Sequence, residues 1–154
     1  MRKIVTKRFA PVSLAFVLGL GMSAVGCKGK DGSDVPDGGN GQQLPDEVKK
    51  QKKKEADAEF MKVVAEYQKA KEGKDRLPEA KCKSISGKFH KLYTDYGELM
   101  LAAEFNVAAI AEECGDVKKA EKVYAELAKK KYQLAYNNLG VIYWNRGDYK
   151  KALE

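Results

Sequence analysis

The sequence predicts an all-α protein whose helices pair as antiparallel hairpins. Three observations carry that expectation. Apolar residues recur at helical spacing, as in Ile85, Phe89, Leu92, Tyr93 and Tyr96, which fall at i, i+4, i+7, i+8 and i+11. No segment alternates apolar and polar residues with the period of two that a half-buried strand needs. Short turns at Gly115-Asp116 and Gly147-Asp148 cut the apolar stretches into helix-sized pieces.

The first element, residues 1–26, stands apart from this body. Arg2, Lys3, Lys7 and Arg8 precede an uncharged stretch, Phe9 to Gly26, rich in Val, Leu, Ala and Phe. A basic start followed by a short apolar run is the pattern of an export signal. Pro11, Gly19 and Gly21 interrupt the run. It falls short of the ~20 continuous apolar residues that span a bilayer. The run ends Ser23-Ala24-Val25-Gly26-Cys27. This resembles a bacterial lipobox, in which small residues lead into a cysteine that takes a diacylglycerol on its thiol. The resemblance implies a signal peptide over 1–26 and lipidation of Cys27, with the new amine often acylated too, as by palmitate. Two or more acyl chains hold a protein stably on a membrane. The lipobox prefers Leu three positions before the cysteine, where this chain has Ala24. Lys28 follows where Asp would signal inner-membrane retention in enteric bacteria, so the expected place is the outer membrane's periplasmic face. An ordinary secretory signal and an uncleaved anchor are the alternatives.

Charge reads differently once this segment is set aside. The chain has 29 Lys and Arg against 22 Asp and Glu, a formal charge of +7. Removing the four positives before Phe9 leaves 25 against 22, or +3. That is not the basic excess of a nucleic-acid binder. Residues 28–45, KGKDGSDVPDGGNGQQLP, hold almost nothing apolar. Such a segment cannot bury enough surface to offset its ordering entropy. With Cys27 it reads as a flexible linker, and a Gly-rich coil of that length spans roughly 20–25 Å. The remaining body of roughly 110 residues makes one domain at most.

Within the body, Asp46 is placed to cap a first helix, with Phe60, Val63, Val64 and Tyr67 on its apolar face and an end near Gly73. A second helix follows Leu77-Pro78 and is broken at Gly97. The two make a hairpin over 46–97. The next helix, about Glu98 to Cys114, is apolar nearly all round, the mark of a helix buried between others. Further helices carry Val117, Ala120, Val123, Tyr124 and Leu127, then residues 133–146, and a last one starts at Tyr149.

The stretches Gly115-Asp116-Val117-Lys118-Lys119-Ala120 and Gly147-Asp148-Tyr149-Lys150-Lys151-Ala152 agree at Gly, Asp, Lys, Lys and Ala, 32 residues apart. Together with Tyr136, Leu139, Gly140 and Tyr143, the second copy resembles a tetratricopeptide repeat, a two-helix unit of about 34 residues. In that family Gly140 and Ala152 would let two helix backbones approach, while large residues fill the gaps. The first copy is weaker, with Glu104 where an aromatic is preferred. The resemblance covers about Leu101 to Glu154. It implies hairpins stacked as a short solenoid, with 46–97 a divergent repeat or cap and 98–154 the repeats, the last incomplete. Glu154 falls inside the second helix of the better repeat, so the sequence is expected to be a piece of a longer protein.

The resemblance also implies a concave groove lined by first-helix side chains that binds peptides or partner proteins. Its positions map to Leu134, Asn137, Val141, Trp144 and Asn145 in the better repeat. In the other they map to Ala102, Phe105, Ala109, Glu112 and Glu113. Asn137 is the residue type that many such clamps use on a peptide backbone. Trp144 is the single Trp and a candidate interface anchor. The alternative is that it packs beneath a further repeat.

Cys82 and Cys114 form an even pair in a chain expected to be exported. If the hairpin turns near Gly97-Glu98, residues whose numbers sum to about 196 lie at one height, and this pair does. The choice is a disulfide or two small buried hydrophobes. His90 is the lone histidine, more in keeping with a surface or paired role than a catalytic one. No H-x-x-x-H, C-x-x-C, G-x-S-x-G or phosphate-loop motif occurs. Glu98, Glu104, Glu112 and Glu113 read as solvated faces. No cofactor, metal, small-molecule substrate or enzyme activity is therefore expected. The run Lys49-Lys50-Gln51-Lys52-Lys53-Lys54 reads as a soluble helix end or as a contact for anionic lipid headgroups.

The expected function is a membrane-anchored adaptor that binds partner proteins in a cell-envelope complex. Lipoproteins of this build serve pilus secretins, barrel-protein insertion and gliding motility. The alternative is an accessory domain at the start of a longer envelope enzyme.

Overall fold

The computed structural model describes residues 45–153. The signal, Cys27 and the linker as far as residue 44 lie outside the described residues, as does Glu154. The described chain is all helical. The helices are α1 (Asp46–Lys71), α2 (Glu79–Tyr96), α3 (Leu101–Glu113), α4 (Val117–Lys129), α5 (Gln133–Arg146) and α6 (Tyr149–Ala152). A 3-10 turn, Gly97–Met100, joins α2 to α3.

Each helix packs mainly on its neighbour in sequence. Contacts across the pairs fix an antiparallel register. Lys88 meets Glu66 at 2.5 Å, and Arg146 meets Glu121 at 2.5 Å. His90 Nδ1 lies 2.9 Å from Glu104 Oε2.

The apolar stripes account for the packing. In α1, Ala56, Phe60, Val64 and Tyr67 are buried. They meet Ile85, Phe89 and Leu92 of α2 in a first core cluster, where the Phe60 and Phe89 rings are 5.4 Å apart. A second cluster joins α3, α4 and α5 through Tyr124, Leu127, Ala135 and Ile142. The middle of α3 belongs to both. Ala103, Val107 and Ile110 face the first cluster, while Phe105, Ala108 and Ala111 face the second. That double burial is why α3 has no polar stripe.

Two boundaries differ from the sequence reading. Asp46 lies in the first turn of α1, and Pro45 takes the cap position with no side-chain cap bond. Proline's fixed φ suits a helix start, while Asp46 and Glu47 complement the dipole from inside the helix. The helix expected from Glu98 begins only at Leu101. Gly97 sits at φ 57° and Met100 at φ −129°, ψ 39°. The chain has to reverse there while keeping Met100 buried, and a continuous helix cannot do that.

The two Gly-Asp turns match bond for bond. Gly115 N–H donates to Glu112 O and Gly147 N–H to Trp144 O, both at 3.0 Å. Asp116 N–H donates to Ala111 O at 2.8 Å, and Asp148 N–H to Tyr143 O at 3.0 Å. The Asp116 carboxylate accepts from Lys119 N–H, and Asp148 from Lys151 N–H. Gly115 and Gly147 hold φ of 92° and 80°, a left-handed conformation that a Cβ disfavours. Every partner is displaced by the same 32 residues. After the second turn, α6 comes back against α5 closely enough that a Cβ on Gly140 would stand 3.4 Å from Ala152 O.

Candidate partner-binding face and the polar contacts behind it

Helix α5 carries five of the expected groove residues, of which Leu134 is half-buried against the second core cluster. Asn137 and Asn145 are exposed, Val141 is half-buried, and Trp144 is 59% exposed. The Trp144 ring meets Tyr149 edge-on at 4.8 Å, which fixes its orientation without covering it. Tyr136, expected to fill a gap, is half exposed, and its hydroxyl donates to Ala128 O at 2.6 Å.

A cleft of about 560 Å³ opens between the end of α3, the start of α4 and the end of α5. Glu112, Val117, Ile142, Asn145 and Arg146 are among its lining residues. The fold therefore brings Glu112 and Asn145 together. It does not bring Asn137, Val141 or Trp144 to the same cleft.

Glu112 is half-buried and accepts a long hydrogen bond, 3.4 Å, from the Tyr124 hydroxyl. Tyr124 accepts in turn from the Asn138 amide at 2.7 Å. Burial raises the Glu112 carboxyl above its ordinary value, and the Tyr124 hydroxyl only partly offsets this. Burial also raises the Tyr124 hydroxyl.

Phe105 is corrected. It is 5% exposed and wedged between Tyr124 at 5.4 Å and Tyr132 at 5.7 Å. Its helix is packed on both sides, so its middle turns have no face left to line a groove. Ala109 is buried for the same reason.

Glu113 is also corrected. Its side chain is 7% exposed and paired with Lys71 at 2.8 Å. It accepts from the Tyr67 hydroxyl at 2.6 Å and from Leu77 N–H at 2.7 Å. Burial alone would raise this carboxyl. The Lys71 ammonium, the Tyr67 hydroxyl and the Leu77 N–H outweigh it and hold the group below its ordinary value. Glu113 is a clamp between α1, the α1–α2 loop and α3. Beside it, Cys114 is joined to Cys82 by a disulfide with the Cα atoms 6.3 Å apart. Glu104 is no solvated acid either, since its largely buried side chain pairs with His90.

These polar contacts were not legible in the sequence. Glu113 looks like Glu112 until α1 and α3 are adjacent. Asn106, 1% exposed, looks like a surface residue until α3 is packed all round, and its amide then bonds Ala102 O at 2.8 Å. Among the described residues, no group of His, Cys, Asp and Glu is placed to hold a metal ion. No described helix is long and apolar enough to cross a membrane. No protein family, curated protein or solved structure matches the chain.

Proposed function

We propose that this chain is a lipid-anchored adaptor, held to a bacterial envelope membrane at Cys27, whose tetratricopeptide-like hairpins stack as a short solenoid and bind a partner protein or peptide. The observation that carries the reading is the pair of Gly-Asp turns, which repeat the same hydrogen bonds after 32 residues. A repeated turn of one geometry sets each following helix at one angle, which is how stacked repeats are built. The close approach of Gly140 to Ala152 adds to it. The exposed amides of Asn137 and Asn145 and the Trp144 ring offer a partner hydrogen bonds and an aromatic anchor.

The test is made on the full chain exported by its own signal in a bacterium. Mass spectrometry of the N-terminal peptide should find Cys27 acylated, and an unprocessed Met1 or a free Cys27 thiol overturns the anchor. A photo-crosslinker at Asn137 or Asn145 should capture one protein, and Trp144→Ala should abolish the capture. Trp144 being the single Trp, its emission should move to the blue when that partner is added. An absence of crosslinks at both positions overturns the adaptor reading.

A further inference from the structure

We propose that the first turns of α1 are a docking surface for an anionic lipid bilayer. Helix α1 runs from Asp46, yet its first buried residue is Ala56. Residues 46–54 enter neither core cluster and form an overhang of about 14 Å. The core stripe of Ala56, Phe60, Val64 and Tyr67, run backwards at helical spacing, reaches Lys53, Lys52 and Lys49. Where the stripe should continue, the chain has placed lysines, and Lys50 and Lys54 flank them. Lys53 pairs with Asp57, while the side chains of Lys49, Lys50, Lys52 and Lys54 make no ion pair or hydrogen bond among the described residues.

Cationic side chains near a helix start oppose the dipole. The helix is kept by Asp46 and Glu47 in its first turn and by the Gln51 to Glu55 bond at 2.9 Å. Five lysines on helical turns outside both core clusters add charge and nothing to the core.

A second basic group lies at the same end of the body. The end of α4 and the turn into α5 carry Lys129, Lys130 and Lys131. Lys130 reaches Glu98 of the 3-10 turn at 3.4 Å, and that turn packs on α1. The overhang follows directly on the linker from Cys27. The choice of a membrane over another polyanion rests on the reading of Cys27 as an anchor, which would keep this end within a linker's length of the headgroups.

The test uses the mature chain carrying Cys27→Ser, so that no acyl chain contributes. In low salt it should sediment with vesicles of phosphatidylcholine and phosphatidylglycerol, not with phosphatidylcholine alone, and raised salt should release it. Each lysine near a charged surface changes partition about fivefold, so Lys50→Gln, Lys52→Gln and Lys54→Gln together should weaken it about 100-fold. The matching Lys→Arg triple should bind as the parent does, which separates charge from loss of helix. No sedimentation in low salt, an unaffected Gln triple, or a defective but folded Arg triple overturns the proposal. Tighter binding to duplex DNA than to the mixed vesicles also overturns it, assigning the lysines to nucleic acid. Acylation of Cys27 is read separately by mass spectrometry, so the two readings fail independently.

Discussion

The Tyr67 hydroxyl donates to the Glu113 carboxylate at 2.6 Å, joining helices whose partners stand 46 residues apart. Lys71 and Leu77 N–H complete the shell around that carboxylate. Replacing Glu113 by Ala would take from Leu77 N–H its side-chain acceptor and from Lys71 its ion partner, at a cost of roughly 2–4 kcal/mol. The pH dependence has a definite sign. The folded-state pKa of Glu113 lies below its ordinary value, so its contribution is present above that value and lost as pH falls through the folded pKa. Glu112 is raised, so its contribution is present below the ordinary value and lost as pH rises through the folded pKa. Thermal melts across acid pH should therefore show Glu113→Gln losing the acid-side drop. Glu112→Gln should raise the melting temperature at neutral pH.

The Cys82–Cys114 bond closes a loop with a sequence separation of 32. In the chain-entropy treatment, such a loop stabilises by roughly 3–4 kcal/mol. Urea unfolding of the oxidised and reduced protein should differ by that amount. Equal midpoints would mean that the reduced chain is already held in place, with Glu113 as the local candidate.

Phe105 separates a core role from a groove role. As a buried ring between Tyr124 and Tyr132, its truncation to Ala should cost roughly 3–5 kcal/mol. A variant of unchanged stability that failed only in partner capture would return Phe105 to the groove.

The matched turns give a comparative test. Ala at Gly115 or Gly147 meets the same left-handed penalty, about 1–2 kcal/mol. Gly115→Ala should lower global stability, because its turn sets α4 into the second core cluster. Among the described residues the turn at Gly147 leads into α6, Tyr149–Ala152, which buries no residue. In a chain of these 154 residues, Gly147→Ala should appear as faster amide exchange at Ala152 and Leu153, with the urea midpoint nearly unchanged.

By itself the sequence determined the helical class, the hairpin boundaries to within a few residues, and the turns at Gly115 and Gly147. Periodicity and turn chemistry are local, and α5 spans Gln133–Arg146, where the spacing put it. The height match of Cys82 and Cys114 was also legible, since one hairpin's register follows from where it turns. Only the tertiary structure decided which side of α3 is free, and through its middle turns none is. Packing on both sides put Phe105 into the core and Asn106 into a buried bond, and it left Glu112 and Asn145 to share a cleft. It also turned Glu113 from a surface acid into a clamp. The physical reason is that burial is a property of neighbours. A helix's spacing says which residues share a face, but only the helices packed around it say whether that face meets water.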